Sequence, residues 1–337
     1  MSPDPDAPKS AARSGPTEAA PARPAWHVAL VRPETMTLVL LVLAFIVASL
    51  LSPFFLDAVY ILDSFTYYAE FALVALVMTL LIISGEIDLS AASMMSLTSC
   101  LFAVAFQAGV PMPVAIALSL ASGVLLGAFN GLLVIGLQLP SIIVTIGTLI
   151  MYRGFAQVIA GDKSIAKFPE WFVGINYRDL LGIPVPIVVF TVAALALALL
   201  LGTTIIGRQI YQIGTNEIAA RHAGIRTRRI KLLLFVMMGF TSALAGLMTA
   251  SRLASVRYDL GLGGELQMVL MAMLGGTYIF GGRGSILGTF LAAWLLVIIA
   301  TGMTVANIQA NVQLTVMGTL LIVSIIATNV IYSRTQR

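Results

Sequence analysis

Charged side chains that could do chemistry are concentrated in one stretch of the sequence. Residues 207–231 read GRQIYQIGTNEIAARHAGIRTRRIK and include five arginines, one lysine and one glutamate, whereas the flanking sequence is almost continuously apolar. Glu217 and Arg221 are four residues apart, which is the spacing of an ion pair on one helix face. A stretch this polar must lie in water, where it can contact a partner or only solvent.

The same stretch carries start and stop signals for a short helix. Thr215 or Asn216 can cap its N-terminus, Glu217 suits the positive end of the helix dipole, and Gly224 can end the helix. A helix of about eight residues spans roughly 12 Å, which is too short to cross a membrane. We therefore expect a helix at the membrane surface that docks on a partner, or else a solvated loop whose arginines only set topology.

Several kinds of active chemistry are not indicated by the sequence. No glycine-rich loop of the nucleotide-binding type, ending in Gly-Lys-Ser or Gly-Lys-Thr, occurs. Cys100 is the only cysteine, and the two histidines, His27 and His222, are far apart, so we predict no disulfide framework and no metal site. No nucleophile, base and orienting group occur together, and we predict no catalytic residue and no cofactor bound by this chain.

The composition indicates a membrane protein, because 59% of the residues are hydrophobic and 10% are charged, against roughly 25% charged in a soluble domain. A helical span needs about 20 apolar residues. We expect the second and eighth of the ten candidate spans to be broken or short. The candidates lie near residues 36–56, 67–84, 89–107, 112–136, 140–160, 185–205, 231–251, 265–282, 285–304 and 311–332.

The basic residues predict how the chain is divided and oriented. Residues 1–30 lack an apolar run and predict a disordered cytoplasmic tail, which leaves 31–337 as the transmembrane domain and 206–230 as its main cytoplasmic loop. With both termini in the cytoplasm, 13 of the 19 lysines and arginines lie inside and five outside, as is typical of membrane proteins. The net charge of +4 therefore reports orientation and not nucleic-acid binding.

Two glycine-rich turns interrupt the spans, SGEIDLS at 84–90 and FGGRGS at 280–285. Each can reverse the chain abruptly, and together they are either an internal repeat of the kind seen in transport folds or two unrelated hairpins. The residues expected to shape them are Gly85, Asp88, Ser90, Gly281, Gly282, Arg283 and Gly284.

Small and polar residues within the spans could pack helices or line a pathway; the candidates are Asn130, Thr145, Thr148, Gly275 and Gly276. Glycines that recur every fourth residue, at 123, 127 and 131, favour close helix packing. The charged groups Glu70, Glu86, Asp88, Arg153 and Glu265 all fall near span ends or turns. Proton and sodium relays place such groups at membrane depth, so an ion-coupled carrier is disfavoured and energy must come from another subunit.

Five segments, in their family order, resemble the ribose/xylose/arabinose/galactoside class of bacterial ABC-transporter permeases. They are SGEIDLS at 84–90, GAFNG at 127–131, PSIIVTIGT at 140–148, GRQIYQIGTNEIAARHAGI at 207–225 and the run from Glu265 through GGTYIFGGRGSILGT to Thr289. The likeness covers about residues 36–332. Glu86 departs from it, because the family commonly has a glycine there, and Thr215 replaces a second family glycine.

The resemblance implies an all-α, polytopic, type II-like ABC importer permease with about ten transmembrane helices in the bacterial inner membrane. It implies a cytoplasmic ABC ATPase that binds the ATP, a periplasmic sugar-binding protein, a second permease chain as homo- or heterodimer, and membrane lipid as surroundings. The family's coupling helix, which docks on the ATPase, corresponds to Gly214, Asn216, Glu217, Ile218, Ala219, Ala220, Arg221 and Gly224.

The function expected from this resemblance is import of a monosaccharide, with rhamnose as the preferred substrate. Autoinducer-2 or pentose import by a permease of the same class is the alternative. A stand-alone secondary carrier is a further alternative, and it would need no ATPase.

Overall fold

The computed structural model describes residues 33–51 and 53–335, which are mostly helical. The predicted disordered tail, residues 1–30, lies outside the described residues. The helices are α1 (Pro33–Leu51), α2 (Ala58–Thr66), α3 (Ala69–Ile83), α4 (Ala91–Gln107), α5 (Met112–Leu137), α6 (Ser141–Ala160), α7 (Glu170–Val173), α8 (Val185–Thr203), α9 (Ile205–Thr215), α10 (Glu217–His222), α11 (Thr227–Leu253), α12 (Gly264–Leu274), α13 (Ile286–Val305) and α14 (Ala310–Thr335).

The remaining regular structure is small. A 3₁₀ helix at Pro53–Leu56 follows α1. The strands are β1 (Ile165–Ala166), β2 (Asp179–Leu180), β3 (Ile183–Pro184) and β4 (Ser255–Val256). In antiparallel register, β1 pairs with β4 and β2 pairs with β3. Both pairs lie in the connections between helices, and the first contributes Ile165 and Val256 to the core.

Within the part of the chain that the structure describes, six helices are long and apolar enough to cross a membrane: α5, α6, α8, α11, α13 and the 310–330 part of α14. The pair α2 and α3 is bent by 64° and counts as a seventh span if taken together, and three shorter apolar helices lie at 34–50, α4 and α12. A polytopic helical membrane fold is thereby confirmed. The predicted second span, near 67–84, corresponds to α3, which is only 15 residues long and is separated from α2 by the bend. The predicted eighth span ends at Leu274, just before Gly276, which adopts a φ of +83°.

The centre of the molecule is formed by α3, in which every residue except Phe71 is buried. A helix that is apolar on all sides is typical of such a position. Helix α11 packs against α3, α4 and α5. The contact between α5 and α11 depends on glycine, because a side-chain carbon at Gly127 would lie 2.2 Å from the carbonyl oxygen of Phe235. The glycine repeat of α5 therefore packs helices, as close approach of this kind requires.

The charged stretch contains more helix than we predicted. We expected one helix of about eight residues, whereas the structure has the eleven-residue α9, the six-residue α10 and the start of α11. Helix α9 begins at Thr204, whose Oγ1 accepts a hydrogen bond from the Gly207 N–H at 3.1 Å. It buries Ile210 and Ile213 on one face, so it packs on the transmembrane helices and holds α10 beside them.

Candidate functional site

Local signals fix α10 at both ends. Asn216 caps it, because its Oδ1 accepts a hydrogen bond from the Ala219 N–H at 3.0 Å; Thr215 instead ends α9. Gly224 follows the helix with a φ of +83°, a left-handed conformation that glycine adopts without steric strain. Its N–H donates to the carbonyl of Arg221 at 3.1 Å.

The two sides of α10 differ in character. Ala220 is buried against the protein, whereas Ile218 is 72% exposed and Ala219 is also exposed. Ile218 is therefore a large apolar side chain that points away from the protein, next to charged groups. We call Ile218 and Ala219 the exposed face of α10.

Four charged side chains connect α10 to the transmembrane helices. Arg221 Nη2 lies 2.8 Å from Glu217 Oε1. Lys231 Nζ, in the first turns of α11, lies 2.5 Å from Glu217 Oε2 and 2.6 Å from Glu86 Oε1. We call these four residues the ion network. Through it, Lys231 joins the helix that we expect to dock to the turn at 84–90.

The central part of the ion network is shielded from water. Lys231 is 8% exposed and Glu86 9% exposed. Removing one partner of such a pair leaves an uncompensated buried charge, which costs about 3–5 kcal/mol. The lysine therefore explains how this chain accommodates Glu86 at a position where the resembled family has glycine.

The ion network also keeps Glu217 ionised. Burial raises the pKa of its carboxyl, but hydrogen bonds and charges from Lys231 and Arg221 outweigh burial, so the pKa lies below its ordinary value of 4.5. A lowered pKa means that the contribution of Glu217 to stability is present at neutral pH and is lost only as the pH falls through that lowered value.

Directly before α10, three backbone segments meet without intervening side chains. A side-chain carbon at Gly214 would lie 1.7 Å from the carbonyl oxygen of Ile83 and 2.4 Å from the Gly282 nitrogen. The Gly282 N–H donates to the same Ile83 carbonyl at 2.8 Å. The two glycine-rich turns therefore contact each other, with the end of α9 packed against both. We call this contact the glycine junction.

The turn at 280–285 is held by further contacts. Gly281, Gly282 and Gly284 all have positive φ values, which explains the run of glycines. Tyr211 of α9 donates its hydroxyl hydrogen to the carbonyl of Gly284 at 2.7 Å. The guanidinium of Arg283 lies 4.8 Å from the centre of the Tyr332 ring, so this arginine ties the turn to α14.

The turn at 84–90 contains a buried polar cluster. Asp88 Oδ1 accepts hydrogen bonds from the Ser90 N–H at 2.9 Å and hydroxyl at 2.6 Å. Asn130 of α5 donates to Ser90 Oγ at 2.8 Å and accepts from the Tyr152 hydroxyl of α6 at 2.8 Å. Because these groups satisfy one another, the turn is fixed against α5 and α6.

Two polar residues at the start of α6, Ser141 and the candidate Thr145, also contact this turn. Ser141 Oγ accepts a hydrogen bond from the Ile87 N–H at 3.1 Å, and Thr145 donates to the Ile87 carbonyl at 3.4 Å. Thr148 donates within α6, to the carbonyl of Thr145. Helix packing alone would produce these contacts, so they give no sign that these residues line a transport pathway.

The remaining candidates, Gly275 and Gly276, also lie at a close contact. A side-chain carbon at Gly275 would lie 2.4 Å from the Thr289 nitrogen of α13. The Gly276 carbonyl accepts a hydrogen bond from the Tyr332 hydroxyl at 3.0 Å. Both glycines therefore allow α12 to end abruptly and to pack closely against its neighbours.

Sequence reasoning missed the partners of these residues. Lys231 was assigned only to topology, and Tyr152 and Ser141 were not singled out. Two features of the sequence pointed to the ion network: the unusual Glu86 and the lysine at the end of the charged stretch. That they pair with each other becomes visible only in the folded structure. We expected Arg153 near the end of a span, whereas it lies inside α6, seven residues before Ala160, and donates to the Leu260 carbonyl at 2.9 Å.

Beside the ion network lies a cavity of about 300 Å³. We call it the junction cavity, and it lies where α5 ends beside α10 and α11. Its lining residues are Glu86, Val134, Ile135, Gln138, Leu139, Glu217, Arg221, Arg228 and Lys231. Among residues 33–51 and 53–335, no three His, Cys, Asp or Glu side chains lie close enough together to hold a metal ion.

Comparison with known proteins gives consistent matches. A family model described as branched-chain amino acid transport system / permease component matches residues 60–325. The autoinducer 2 import system permease protein LsrD of Escherichia coli strain K12 and that of Shigella flexneri are each 33% identical over 317 residues, covering 92% of this chain and 94% of the relative. No solved structure matches this chain.

Proposed function

Because this chain belongs to the family described as branched-chain amino acid transport system / permease component, we propose that it is the membrane-spanning subunit of an ABC importer for autoinducer 2. Members of this family are transport permeases, and the chain is accordingly a multi-pass membrane protein. The observation that carries the proposal is the 33% identity over 92% of this chain to permeases named for autoinducer 2 import.

The names of the same relatives support one of the substrates that the sequence left open. Their names specify autoinducer 2, and none of the relatives described above is named for rhamnose. The initial preference for rhamnose therefore has no support, whereas the autoinducer-2 alternative does. A pentose stays a possible substrate of a permease of this class.

The partners and topology are part of the proposal. A cytoplasmic ABC ATPase hydrolyses ATP, a periplasmic binding protein delivers the substrate, and a second permease chain completes the complex as a homo- or heterodimer. Both termini lie in the bacterial cytoplasm, and residues 31–337 cross the inner membrane in ten segments. Support for ten comes from the bent pair and the three shorter apolar helices, which coincide with predicted spans.

Coupling between ATP and transport would pass through α10. Its exposed face, Ile218 and Ala219, would bind the ATPase. Movement of α10 would reach the turn at 84–90 through the ion network, and it would reach α3 and the turn at 280–285 through the glycine junction. The first route has little freedom to absorb the motion, because Lys231 is buried and held between two carboxylates. The Gly214 contacts of the second route are backbone to backbone.

Reconstitution tests the function. The chain is purified together with its co-purifying ATPase and binding protein, placed in proteoliposomes, and assayed for uptake of labelled autoinducer 2, ribose and rhamnose. We expect uptake that requires ATP and the binding protein, with autoinducer 2 preferred. Uptake by the chain alone, driven by an ion gradient, would instead identify a secondary carrier.

The docking role of α10 has its own test. Ile218→Asp places a charge on the exposed face and should weaken ATPase binding at least tenfold, measured by co-purification and by titration with the purified ATPase. Gln212→Asp is the control, because Gln212 is exposed on α9 outside that face. Equal ATPase binding by both variants would show that the ATPase docks elsewhere.

A further inference from the structure

The junction cavity has two kinds of wall. Val134, Ile135 and Leu139, at the end of α5, are apolar, and the opposite wall is charged. With a volume of about 300 Å³, the cavity is large enough for a small polar group but not for a folded segment. A site of this kind favours an amphiphilic occupant.

The charged wall carries one uncompensated cation. Glu86 and Glu217 pair with Lys231, and Glu217 also pairs with Arg221. The side chain of Arg228 makes no ion pair or hydrogen bond with any described residue. The lining therefore has three basic and two acidic groups, so it attracts an anion, and Arg228 has all its donors available.

The rim of the cavity continues into a surface that faces lipid. Helices α5 and α11 are both long enough to span the membrane. Leu137 and Leu139, at the end of α5, are 63% and 43% exposed. An acyl chain can lie along these leucines while the head group reaches Arg228, and basic groups at a membrane surface favour anionic lipids in this way.

We propose that the junction cavity binds the phosphate of an anionic phospholipid, with Arg228 as its principal cationic contact and the acyl chains along Leu137 and Leu139. A free phosphate is less favoured, because it would make no apolar contact with Val134, Ile135 and Leu139. An acidic side chain of the ATPase is the less favoured occupant, because Ile218 and Ala219 of the exposed face do not line this cavity. The proposal requires a membrane location but not the autoinducer 2 assignment.

Occupancy of the cavity would have a consequence for α10. Glu217 and Arg221 of α10 line the cavity together with Lys231, so a bound head group would contact the ion network and steady α10 against the membrane. The lipid would then be a structural component of the coupling region.

Native mass spectrometry of the purified full-length chain tests the proposal. The probes are phosphatidylglycerol, phosphatidylcholine and inorganic phosphate, and the variants are Arg228→Gln and Arg229→Gln. Arg229 is the matched control, because it is the exposed neighbour on the same helix and does not line the cavity. Thermal melting should be the same for both variants, since neither side chain has a described partner to lose.

We expect the wild type and Arg229→Gln to retain phosphatidylglycerol, and Arg228→Gln to retain at least fivefold less. Phosphatidylcholine should bind weakly to all three, and millimolar phosphate should not displace the lipid. Equal lipid retention by the two variants would overturn the proposal. Displacement by phosphate would show a free-anion site instead. Loss of ATPase binding by Arg228→Gln in detergent without lipid would assign the cavity to a partner carboxylate.

Discussion

The two ends of the molecule are held together by different means. At the end that contains α10, the glycine junction brings backbones into direct contact, and a buried lysine joins two carboxylates. At the opposite end, where α3 begins and α11 ends, the contacts are individual ion pairs and hydrogen bonds between one side chain and one partner group. Arg252 Nε lies 2.8 Å from Glu70 Oε1, Tyr177 donates to the Arg252 carbonyl at 2.8 Å, and Ser251 donates to that of Phe172 at 2.6 Å.

Packing at the opposite end is also more adaptable. Phe102, Phe168 and Phe172 form an aromatic cluster there, in which the ring centres of Phe102 and the other two are 5.2 Å apart. Aromatic pairs have more than one favourable geometry, offset-stacked or edge-to-face, whereas backbones in direct contact have no alternative arrangement of this kind. From this difference we expect displacement at the α10 end to pass into the transmembrane helices and the opposite end to transmit less of it.

The largest expected effect comes from Lys231→Met. This change leaves Glu86 buried without a cation, so we expect a loss of about 3–5 kcal/mol in stability and loss of uptake. Thermal melting in detergent and uptake in proteoliposomes measure it. Arg229→Met, on the exposed side of the same helix, should leave melting unchanged. If both variants melted alike, the ion network would not hold this end together.

Gly214→Ala should have the next largest effect. The added methyl group would meet the Ile83 carbonyl at 1.7 Å, and overpacking of this kind costs about 1–3 kcal/mol or more. Gly154→Ala is the control, because nothing lies within 4 Å of the added carbon and alanine favours a helix. We expect a lower melting temperature for the first and an unchanged or higher one for the second. A tolerated Gly214→Ala would contradict a rigid junction.

Tyr177→Phe probes the opposite end and should be mild. It removes one exposed hydrogen bond to the Arg252 carbonyl, worth about 0.5–1.5 kcal/mol, and leaves the aromatic cluster intact. Uptake should stay within about twofold of the wild type, which corresponds to well under 1 kcal/mol in rate. A loss of uptake comparable to that of Gly214→Ala would remove the distinction between the two ends.

The smallest effect concerns pH. Because the pKa of Glu217 lies below 4.5, its contacts with Lys231 and Arg221 should persist between pH 6 and 8 and weaken only as the pH falls through that lowered pKa. Melting followed from pH 7 down to pH 2 should show a smaller acid-induced loss in Glu217→Gln than in the wild type. Identical curves would mean that Glu217 does not contribute to this loss.

What the sequence could predict about the site was local. Asn216, Gly224 and the Glu217–Arg221 spacing act within one or two helical turns, so their structure follows from nearby residues. The pairing of Lys231 with Glu86 spans 145 positions, and it depends on how α11 packs against the helix that precedes Glu86. No pattern within either segment could reveal it.

The fold likewise has features that follow from nearby residues and features that depend on contacts distant in sequence. Apolar length predicted the six helices that are long enough to cross a membrane, whereas the count of ten spans depends on the bent pair and on three shorter apolar helices. The sequence analysis did not predict that the charged stretch divides into α9 and α10. Thr204, which caps α9, lies where the sequence changes from apolar to polar, and such a change also marks the end of a membrane span. Gly214 was expected within the docking helix, yet its structural role comes from contacts with Ile83 and Gly282, which are distant in sequence.

The most direct test of the coupling account is the double variant Glu86→Leu with Lys231→Met, assayed in the assembled complex for uptake per ATP hydrolysed. Replacing both partners by apolar groups should preserve folding, as it often does for buried ion pairs, and the exposed face of α10 is untouched. We predict that the ATPase still binds and hydrolyses ATP while uptake per ATP falls at least tenfold. Uptake per ATP equal to that of the wild type would contradict the account.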